Sequence, residues 1–247
     1  MMRTKYAKMI NDFSKLGLSL SDKQLHQFDD YFNMLVETNK VMNLTAITEF
    51  DDVCKLHFVD SVSAAAYFYF SKKAYSLVDI GTGAGFPGIP LKIMFPNLNV
   101  TLLDSLNKRL NFLNDVIEKL DLNSEGSIHT LHGRAEDFSM AKEGSLRETF
   151  DIAVSRAVAN MATLSEYCLP YVKVGGKFIA FKSEKASEEL QNAKGALHLL
   201  GGKLSDCQEF MLPNSDISRT ICIVDKVEKT SKKYPRKAGV PSKQPLQ

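Results

Sequence analysis

Long apolar runs are missing from this 247-residue sequence. The longest unbroken run, Ala64–Phe70, has seven residues, whereas a membrane-spanning helix needs about 20. The first residues, Met1–Tyr6, are polar and lead into no apolar signal core. The sequence therefore predicts a cytoplasmic protein without a membrane span.

Cysteine is scarce, and its spacing excludes two classes of site. The four cysteines stand far apart, at Cys54, Cys168, Cys207 and Cys222. They form no CxxC-type metal clip, and the disulfide framework of a secreted protein would be denser. The acidic residues and histidines show no metal-ligand spacing and no Ser/His/Asp or Cys/His nucleophilic set. We expect no metal site and buried, unreactive thiols.

Net charge is low but unevenly distributed. The whole chain carries +2, whereas the segment from Lys226 onward has seven Lys/Arg and one acid, a net +6. The preceding residues therefore carry −4. A basic tail can bind a polyanion or can be a solvated, disordered end, and charge alone leaves both open. Residues 229–247 contain three prolines and few apolar residues, so they predict an irregular tail.

Glycine is absent between Gly17 and Gly81, which suits packed helices. Ser21–Gln24 matches a helix-capping box. Two apolar stripes at helical spacing follow: Leu25, Phe28, Phe32, Leu35 and Val36, and then Val53, Leu56, Val59, Val62 and Ala66. The sequence predicts a helical extension over residues 1–72.

From residue 73 to residue 228, short β-rich runs alternate with helical segments. The runs predicted as strands are 76–80, 99–103, 128–131, 150–154, 177–181, 209–212 and 220–224. The last two follow without an intervening helix. This order predicts an α/β domain with a mainly parallel seven-stranded sheet, closed by an antiparallel hairpin.

A glycine-rich loop, 79–88, directly follows the first predicted strand and opens a helix. Such a loop lets the backbone approach a ligand closely. Its glycines fit both the dinucleotide pattern GxGxxG and the pattern GxGxG, which holds S-adenosylmethionine in Rossmann-like methyltransferases. Asp104, at the end of the second strand, would bind ribose hydroxyls in either case. Asp79, two residues before Gly81, and the terminal hairpin favour the methyltransferase.

Further motifs make the likeness specific. In chain order they are Asn43–Ile47, His57–Ser61, Gly81–Leu91, Gly133–Glu136, Ser155–Ala159 and Tyr234–Pro241. Together they resemble the bacterial small-subunit (16S) ribosomal RNA guanine-N7 methyltransferase G family, also called glucose-inhibited division protein B. The resemblance runs from about residue 20 to residue 246.

The resemblance implies a Rossmann-like class I methyltransferase that uses S-adenosylmethionine. The implied substrate is N7 of one guanine in the decoding-region loop of 16S rRNA, free or within the small subunit. Residues assigned to the cofactor, by the loop pattern or by matched position, are Asp79, Gly81, Gly83, Gly85, Phe86, Asp104, Ser105, Ala135, Glu136 and Arg156. Glu136 would meet adenine through its side chain or its backbone.

Guanine N7 carries a lone pair and no proton, so methylation there needs no obligatory general base. Positioning can supply most of the catalysis. Candidates for the target pocket are Arg134, Arg156 and Lys182. The family usually has Arg at the position of His57 and Gly at the position of Ser183.

The basic tail then predicts an RNA contact through Lys232, Lys233, Tyr234, Arg236 and Lys237, because lysines and arginines beside an aromatic ring suit RNA. We expect a monomer. Two alternatives stay open at this point: an NAD-dependent oxidoreductase, and a non-catalytic RNA-binding ribosome assembly factor that keeps the cofactor pocket.

Overall fold

The computed structural model describes residues 2–156, 159–183 and 186–247. The described strands form one sheet in the order β3-β2-β1-β4-β5-β7-β6. Their bounds are β1 Ser76–Ile80, β2 Asn99–Asp104, β3 Ile128–His132, β4 Phe150–Arg156, β5 Val172–Lys182, β6 Gly202–Met211 and β7 Ser218–Lys226. Neighbours from β3 to β5 are parallel, whereas β7 is antiparallel to both β5 and β6.

The seven-stranded α/β sheet with its closing hairpin confirms the predicted fold. The prediction for β6 was wrong in extent, because 209–212 covers only the end of Gly202–Met211. This strand lies at the sheet edge, and most of its residues are exposed or half-buried. It therefore lacks the apolar alternation by which strands are recognised.

The N-terminal region is helical, as predicted. Its α-helical segments are α1 Met2–Lys5, α2 Ala7–Lys15, α3 Asp22–Met42, α4 Phe50–Val53 and α5 Asp60–Val62, with a π-helical turn over Cys54–Val59 between the last two. The capping box at the start of α3 is present, with Ser21 and Gln24 bonded reciprocally. Phe32 and Val36 are only half-buried, whereas the unpredicted Tyr31 is fully buried.

The helices that connect the strands lie on both faces of the sheet. They are α6 Gly88–Met94, α7 Asn107–Lys119, α8 Ala135–Ser139, α9 Met161–Cys168 and α10 Ala186–Leu199, and α11 Val240–Lys243 follows the last strand. Alternate strand residues feed two hydrophobic clusters: Leu77 belongs to the cluster that includes the N-terminal helices, and Val78 to the one that includes α9 and α10. The N-terminal helices thus share a core with one face of the sheet.

The C-terminal segment packs on the second face instead of remaining irregular throughout. Arg147 donates hydrogen bonds to the carbonyl oxygens of Thr230, Ser231 and Tyr234. Tyr234 also packs against the second hydrophobic cluster. The expectation of an irregular tail is wrong for Val240–Lys243, which forms the short α11.

Two further findings concern membrane-spanning helices and the cysteines. Within the described ranges, no helix is both long enough and apolar enough to cross a membrane. Cys54, Cys168 and Cys222 are buried and Cys207 is half-buried, all as free thiols.

Candidate cofactor and target site

A cavity of about 500 Å³ opens at the carboxyl ends of β1, β2, β3 and β4. The chain runs outward from β1 to β2 on one side and reaches β4 on the other, so the strand order reverses between β1 and β4. Open α/β sheets bind ligands at such a switch point. The described lining residues are Ile80, Gly81, Leu103, Asp104, Ser105, Arg109, Gly133, Arg134, Ala135, Glu136, Arg156, Tyr167, Gly239 and Ser242.

The glycine-rich loop is fixed to the end of β2. The backbone N–H groups of Gly81 and Thr82 donate to the Leu103 carbonyl oxygen at 2.9 and 3.0 Å. The Gly83 N–H donates to Asp104 Oδ2 at 2.9 Å. No atom lies within 4 Å of the place where a Cβ on Gly83 would be. The loop thus carries an open backbone surface beside a carboxylate.

Asp79 lies beneath the loop, away from the described cavity lining. Its Oδ2 accepts hydrogen bonds from Thr82 Oγ1 at 2.7 Å and from the Gly88 N–H at 2.8 Å. Its Oδ1 is buried and has no hydrogen-bond partner among the described residues. Burial raises the pKa of this carboxyl to about 6, against the opposing effect of those two hydrogen bonds. Asp79 therefore shapes the loop, and its contact with a cofactor stays a prediction.

Gly85 and Phe86 also pack inward. A Cβ on Gly85 would lie 2.6 Å from Tyr31 Oη and 2.7 Å from Ile89 Cγ1, so the close approach of α3 requires glycine there. Tyr31 Oη donates to the Ala84 carbonyl oxygen at 2.5 Å. Phe86 is 6% exposed. These positions hold the loop against the N-terminal helices.

Arg156, at the end of β4, is a half-buried cation of the cavity. Its Nη1 donates to the Leu56 carbonyl oxygen at 2.9 Å and to Asp60 Oδ2 at 3.1 Å. Asp60 also accepts from Arg219 Nε at 3.2 Å. The Arg156 guanidinium carbon lies 5.1 Å from the centre of the Phe86 ring. We call Asp60, Arg156 and Arg219 the Asp60 cluster.

His57 packs beside this cluster as a neutral ring. Burial, and then the charge of Arg156, lower the pKa of His57 to about 4. Arg156 Nη2 donates to Nδ1 at 3.3 Å, so Nε2 carries the proton and donates to Thr45 Oγ1 at 2.8 Å. The ring also stacks on Phe86 with 4.3 Å between centroids. His57 thus joins the Asn43–Ile47 and His57–Ser61 motifs to the cavity.

The loop after β3 brings three of the predicted residues to the cavity. Arg134 is exposed, whereas Ala135 and Glu136 are buried at the start of α8. Glu136 Oε1 accepts the Gly239 N–H at 3.0 Å. The Tyr171 hydroxyl donates to the Ala135 carbonyl oxygen at 2.6 Å. A contact of Glu136 with adenine stays a prediction.

Lys182 is not among the described lining residues. Its Nζ donates to the Ala159 carbonyl oxygen at 2.8 Å and lies 2.6 Å from Glu189 Oε2. The described contacts of this ammonium group are therefore internal to the fold.

The predicted RNA-binding residues differ in exposure. Lys232, Lys233 and Lys237 are exposed, and Tyr234 is half-buried. Arg236 instead pairs with Glu166, a fully buried carboxylate on α9: the Arg236 N–H donates to Oε1 at 2.7 Å, and Nη2 donates to Oε2 at 2.6 Å. Its charge is thus already balanced, and RNA contact by these residues stays a prediction.

Seven of the described lining residues were not predicted as site residues: Ile80, Leu103, Arg109, Gly133, Tyr167, Gly239 and Ser242. Arg109 lies in the first turn of α7, five residues after Asp104, a position that strand-end reasoning could have found. Tyr167 lies on α9, and only the folded chain brings it there. Gly239 lies inside the Tyr234–Pro241 motif, in which RNA contacts are predicted for Tyr234, Arg236 and Lys237 and no cofactor contact is predicted.

A larger cavity of about 670 Å³ lies between α10 and the β6–β7 hairpin. Its lining contains no strand-end residue of the parallel sheet and no predicted site residue. Within the described ranges, no three His, Cys, Asp or Glu side chains gather as they would around a metal ion. The cavity at the switch point is therefore the candidate site.

A family model described as rRNA small subunit methyltransferase G, GidB, matches residues 24–237. The chain belongs to this family. It is 52% identical over 237 residues to the ribosomal RNA small subunit methyltransferase G of Lachnoclostridium phytofermentans, with 96% of each chain covered. It is 53% identical over 231 residues to the protein of the same name from Bacillus thuringiensis, with 94% of each covered.

Solved structures agree with the fold. TYW2 from M. jannaschii, in complex with AdoMet, superimposes with a TM-score of 0.50 at 15% identity, over 67% of this chain and 74% of that one. At this identity the likeness concerns the fold alone. The predicted family and the methyltransferase fold are confirmed, and the family match favours a methyltransferase over the oxidoreductase and the assembly factor.

Proposed function

We propose that this chain transfers a methyl group from S-adenosylmethionine to N7 of one guanine in the decoding-region loop of 16S rRNA. The observation that carries the proposal is the family match over residues 24–237. The cavity at the switch point, lined by motif residues from the ends of three strands, supports it. We place the reaction in the cytoplasm and expect the chain to act as a monomer.

The residues of the cavity fit this cofactor. Asp104 offers a carboxylate at the end of β2, where such folds bind ribose hydroxyls. Gly83 is not among the described lining residues, but it hydrogen-bonds to Asp104 and has open space at its Cβ position, so its backbone is accessible to a ligand beside that carboxylate. Ile80, Leu103 and Ala135 give the same cavity apolar wall for a purine ring. The cofactor, when bound, supplies an activated methyl group on a sulfonium.

Methylation of guanine N7 depends more on how the protein positions the base than on proton transfer. Guanine N7 presents an in-plane lone pair in the major-groove edge and loses no proton on methylation. The protein must therefore hold N7 in line with the methyl group, and correct placement alone accounts for large rate effects. This agrees with our expectation that no general base is obligatory.

Three arginines line the described cavity: Arg109, which lies 3.4 Å from Asp104 Oδ2, and Arg134 and Arg156. Arg156 is rigidly held by Asp60 and by the Leu56 carbonyl oxygen, so it can present a fixed positive charge to a phosphate or to a base. Arg134 is exposed and can adapt to the RNA backbone. We assign Arg156 to the cofactor and target pocket, and Arg134 to the RNA.

The test is transfer of labelled methyl from S-adenosylmethionine to small-subunit rRNA from a strain lacking this gene. Intact small subunits and protein-free rRNA would be compared, and the modified base mapped. Label at a single guanine N7 is expected. The better of the two substrates would identify what the enzyme recognises. No label on either substrate, with the cofactor still bound, would contradict the proposed substrate.

A further inference from the structure

The C-terminal segment Tyr234–Lys243 reaches the candidate cofactor cavity. Gly239 and Ser242 line it together with Asp104 and Glu136. The segment therefore forms part of the same wall as residues that lie more than a hundred positions earlier in the chain.

Buried polar groups hold this segment at three points. Arg236 and Glu166 form a two-pronged ion pair, with the Arg236 backbone N–H also bonded to the carboxylate. The Gly239 N–H donates to Glu136 Oε1 at 3.0 Å. Thr163 Oγ1 donates to the Pro241 carbonyl oxygen at 3.0 Å. A buried carboxylate that loses its donor is costly, so the segment is held in one position.

The position of Gly239 depends on its lack of a side chain. Its φ of +81° lies in the left-handed region, where other residues are strained. A Cβ there would meet no atom within 4 Å, so a substitution would strain the backbone without a steric clash. Gly239 is therefore a position at which the wall can be disturbed selectively.

We propose that Tyr234–Lys243 is a cofactor-binding element, in which Gly239 and Ser242 contact the bound cofactor and the Arg236–Glu166 ion pair holds them in place. The inference rests on the proposed function, because it takes S-adenosylmethionine as the ligand. The segment that was expected to meet RNA thus also completes the cofactor site. RNA binding to its exposed lysines would act on the same backbone.

The test measures the Kd of S-adenosylmethionine by calorimetry for full-length Gly239→Ala and for a matched control, Gly17→Ala. Gly17 also has a positive φ, +74°, and open space at its Cβ position, but it follows α2, outside the described cavity lining. We expect Gly239→Ala to weaken binding about tenfold and Gly17→Ala to change it less than about twofold. Wild-type affinity in folded Gly239→Ala would overturn the inference.

A second variant covers the case in which Gly239→Ala does not fold. Arg236→Lys keeps the charge opposite Glu166 but loses the two-pronged geometry. Weaker cofactor binding with an unchanged melting temperature supports the inference, and wild-type affinity in folded Arg236→Lys contradicts it. Failure of the proposed function is seen separately, as a wild-type chain that binds the cofactor but labels no rRNA.

Discussion

Asp60 and Glu166 are two of the buried carboxylates near the cavity, and their arginine partners differ in number. Asp60 accepts from two arginines, Arg156 and Arg219, so its cluster keeps one positive charge in excess. Among the described residues Glu166 accepts from Arg236 only, so that pair is neutral. Arg156 itself lines the cavity, whereas neither member of the Glu166 pair does. The Asp60 cluster thus presents a positive charge to a ligand, whereas the Arg236–Glu166 pair only positions a segment of backbone.

Removing the positive charge of Arg156 should have the largest effect, and that effect should be on methyl transfer. In Arg156→Ala we expect kcat/KM for methyl transfer to fall about 100-fold, because the target and cofactor lose a fixed cation. Unfolding should change little, since Asp60 keeps Arg219 as a partner. Methyl transfer and thermal melting would be measured together.

The matched control is Arg219→Ala, which removes the other arginine of the same cluster. Arg219 is not among the described cavity residues, so methyl transfer should stay within about threefold of wild type. Equal losses in the two variants would mean that the Asp60 cluster acts through structure and not through a ligand contact.

The Arg236–Glu166 ion pair can be broken by replacing either residue, and the two variants should lose different amounts of stability. Arg236→Gln leaves a fully buried carboxylate unpaired and should destabilise the fold by about 3 kcal/mol. Glu166→Gln leaves Arg236, which is partly exposed and can reach water, and should cost about 1 kcal/mol. Urea unfolding gives both values. A reversed order would mean that Glu166 is solvated in the folded chain.

The pH dependence of stability sharpens the comparison at His57, the neutral ring beside the Asp60 cluster. Its pKa is lowered to about 4 in the folded chain, below the value of about 6.5 for a free side chain. The unfolded chain therefore binds the proton more readily than the folded chain. The stability that the neutral His57 ring contributes is thus fully present above pH 6.5 and is lost as the pH falls. Between pH 6.5 and pH 4 the loss should be on the order of 2 kcal/mol.

The Asp79 carboxyl has the opposite slope in part of the same range, because its pKa is raised to about 6 and its folded form favours the proton. The contribution of His57 is therefore measured as the difference in unfolding free energy between wild type and a His57 variant, in which the Asp79 contribution cancels. Urea unfolding of wild type and His57→Asn across this range should show the variant gaining relative stability as the pH falls. Parallel curves would contradict a neutral, buried His57.

The smallest expected effect concerns RNA. Replacing the three exposed lysines, Lys232, Lys233 and Lys237, with glutamine should reduce the slope of log affinity against log salt by about 2. Arg236→Gln should reduce it by less than about 1, since its charge is already balanced by Glu166. Binding of 16S rRNA over a salt series would measure both. An unchanged slope in the triple variant would remove the tail from the RNA interface.

The sheet and the strand-end part of the site could be predicted from the sequence. Strand, loop and helix follow one another around Gly81, and the ends of parallel strands must meet at one edge of the sheet. Asp104, Ala135, Glu136 and Arg156 accordingly lie at one cavity. Local pattern and topology were sufficient for Asp104, whereas Ala135, Glu136 and Arg156 were assigned through the resemblance of their motifs to the family.

Other parts depend on contacts between distant segments and leave no local signal. Tyr31 and Asp60 read as ordinary helix residues until the fold brings them to Ala84 and Arg156. The tail has few apolar residues and several prolines, which predict an irregular segment, but hydrogen bonds from Arg147 and the Glu166 ion pair fix it on the fold. Anchoring by polar groups is invisible to a measure based on hydrophobicity.

The hydrogen bond from Tyr31 to the Ala84 carbonyl oxygen couples local unfolding of the glycine-rich loop to that of α3. The glycine-rich loop has α3 packed directly against Gly85, so the loop cannot leave its place unless that helix also detaches. The amide hydrogens of α3 and of the loop should therefore exchange with solvent as one cooperative unit. A ligand at the cavity would then slow exchange in a helix some fifty residues earlier in the chain, by linkage and without touching it.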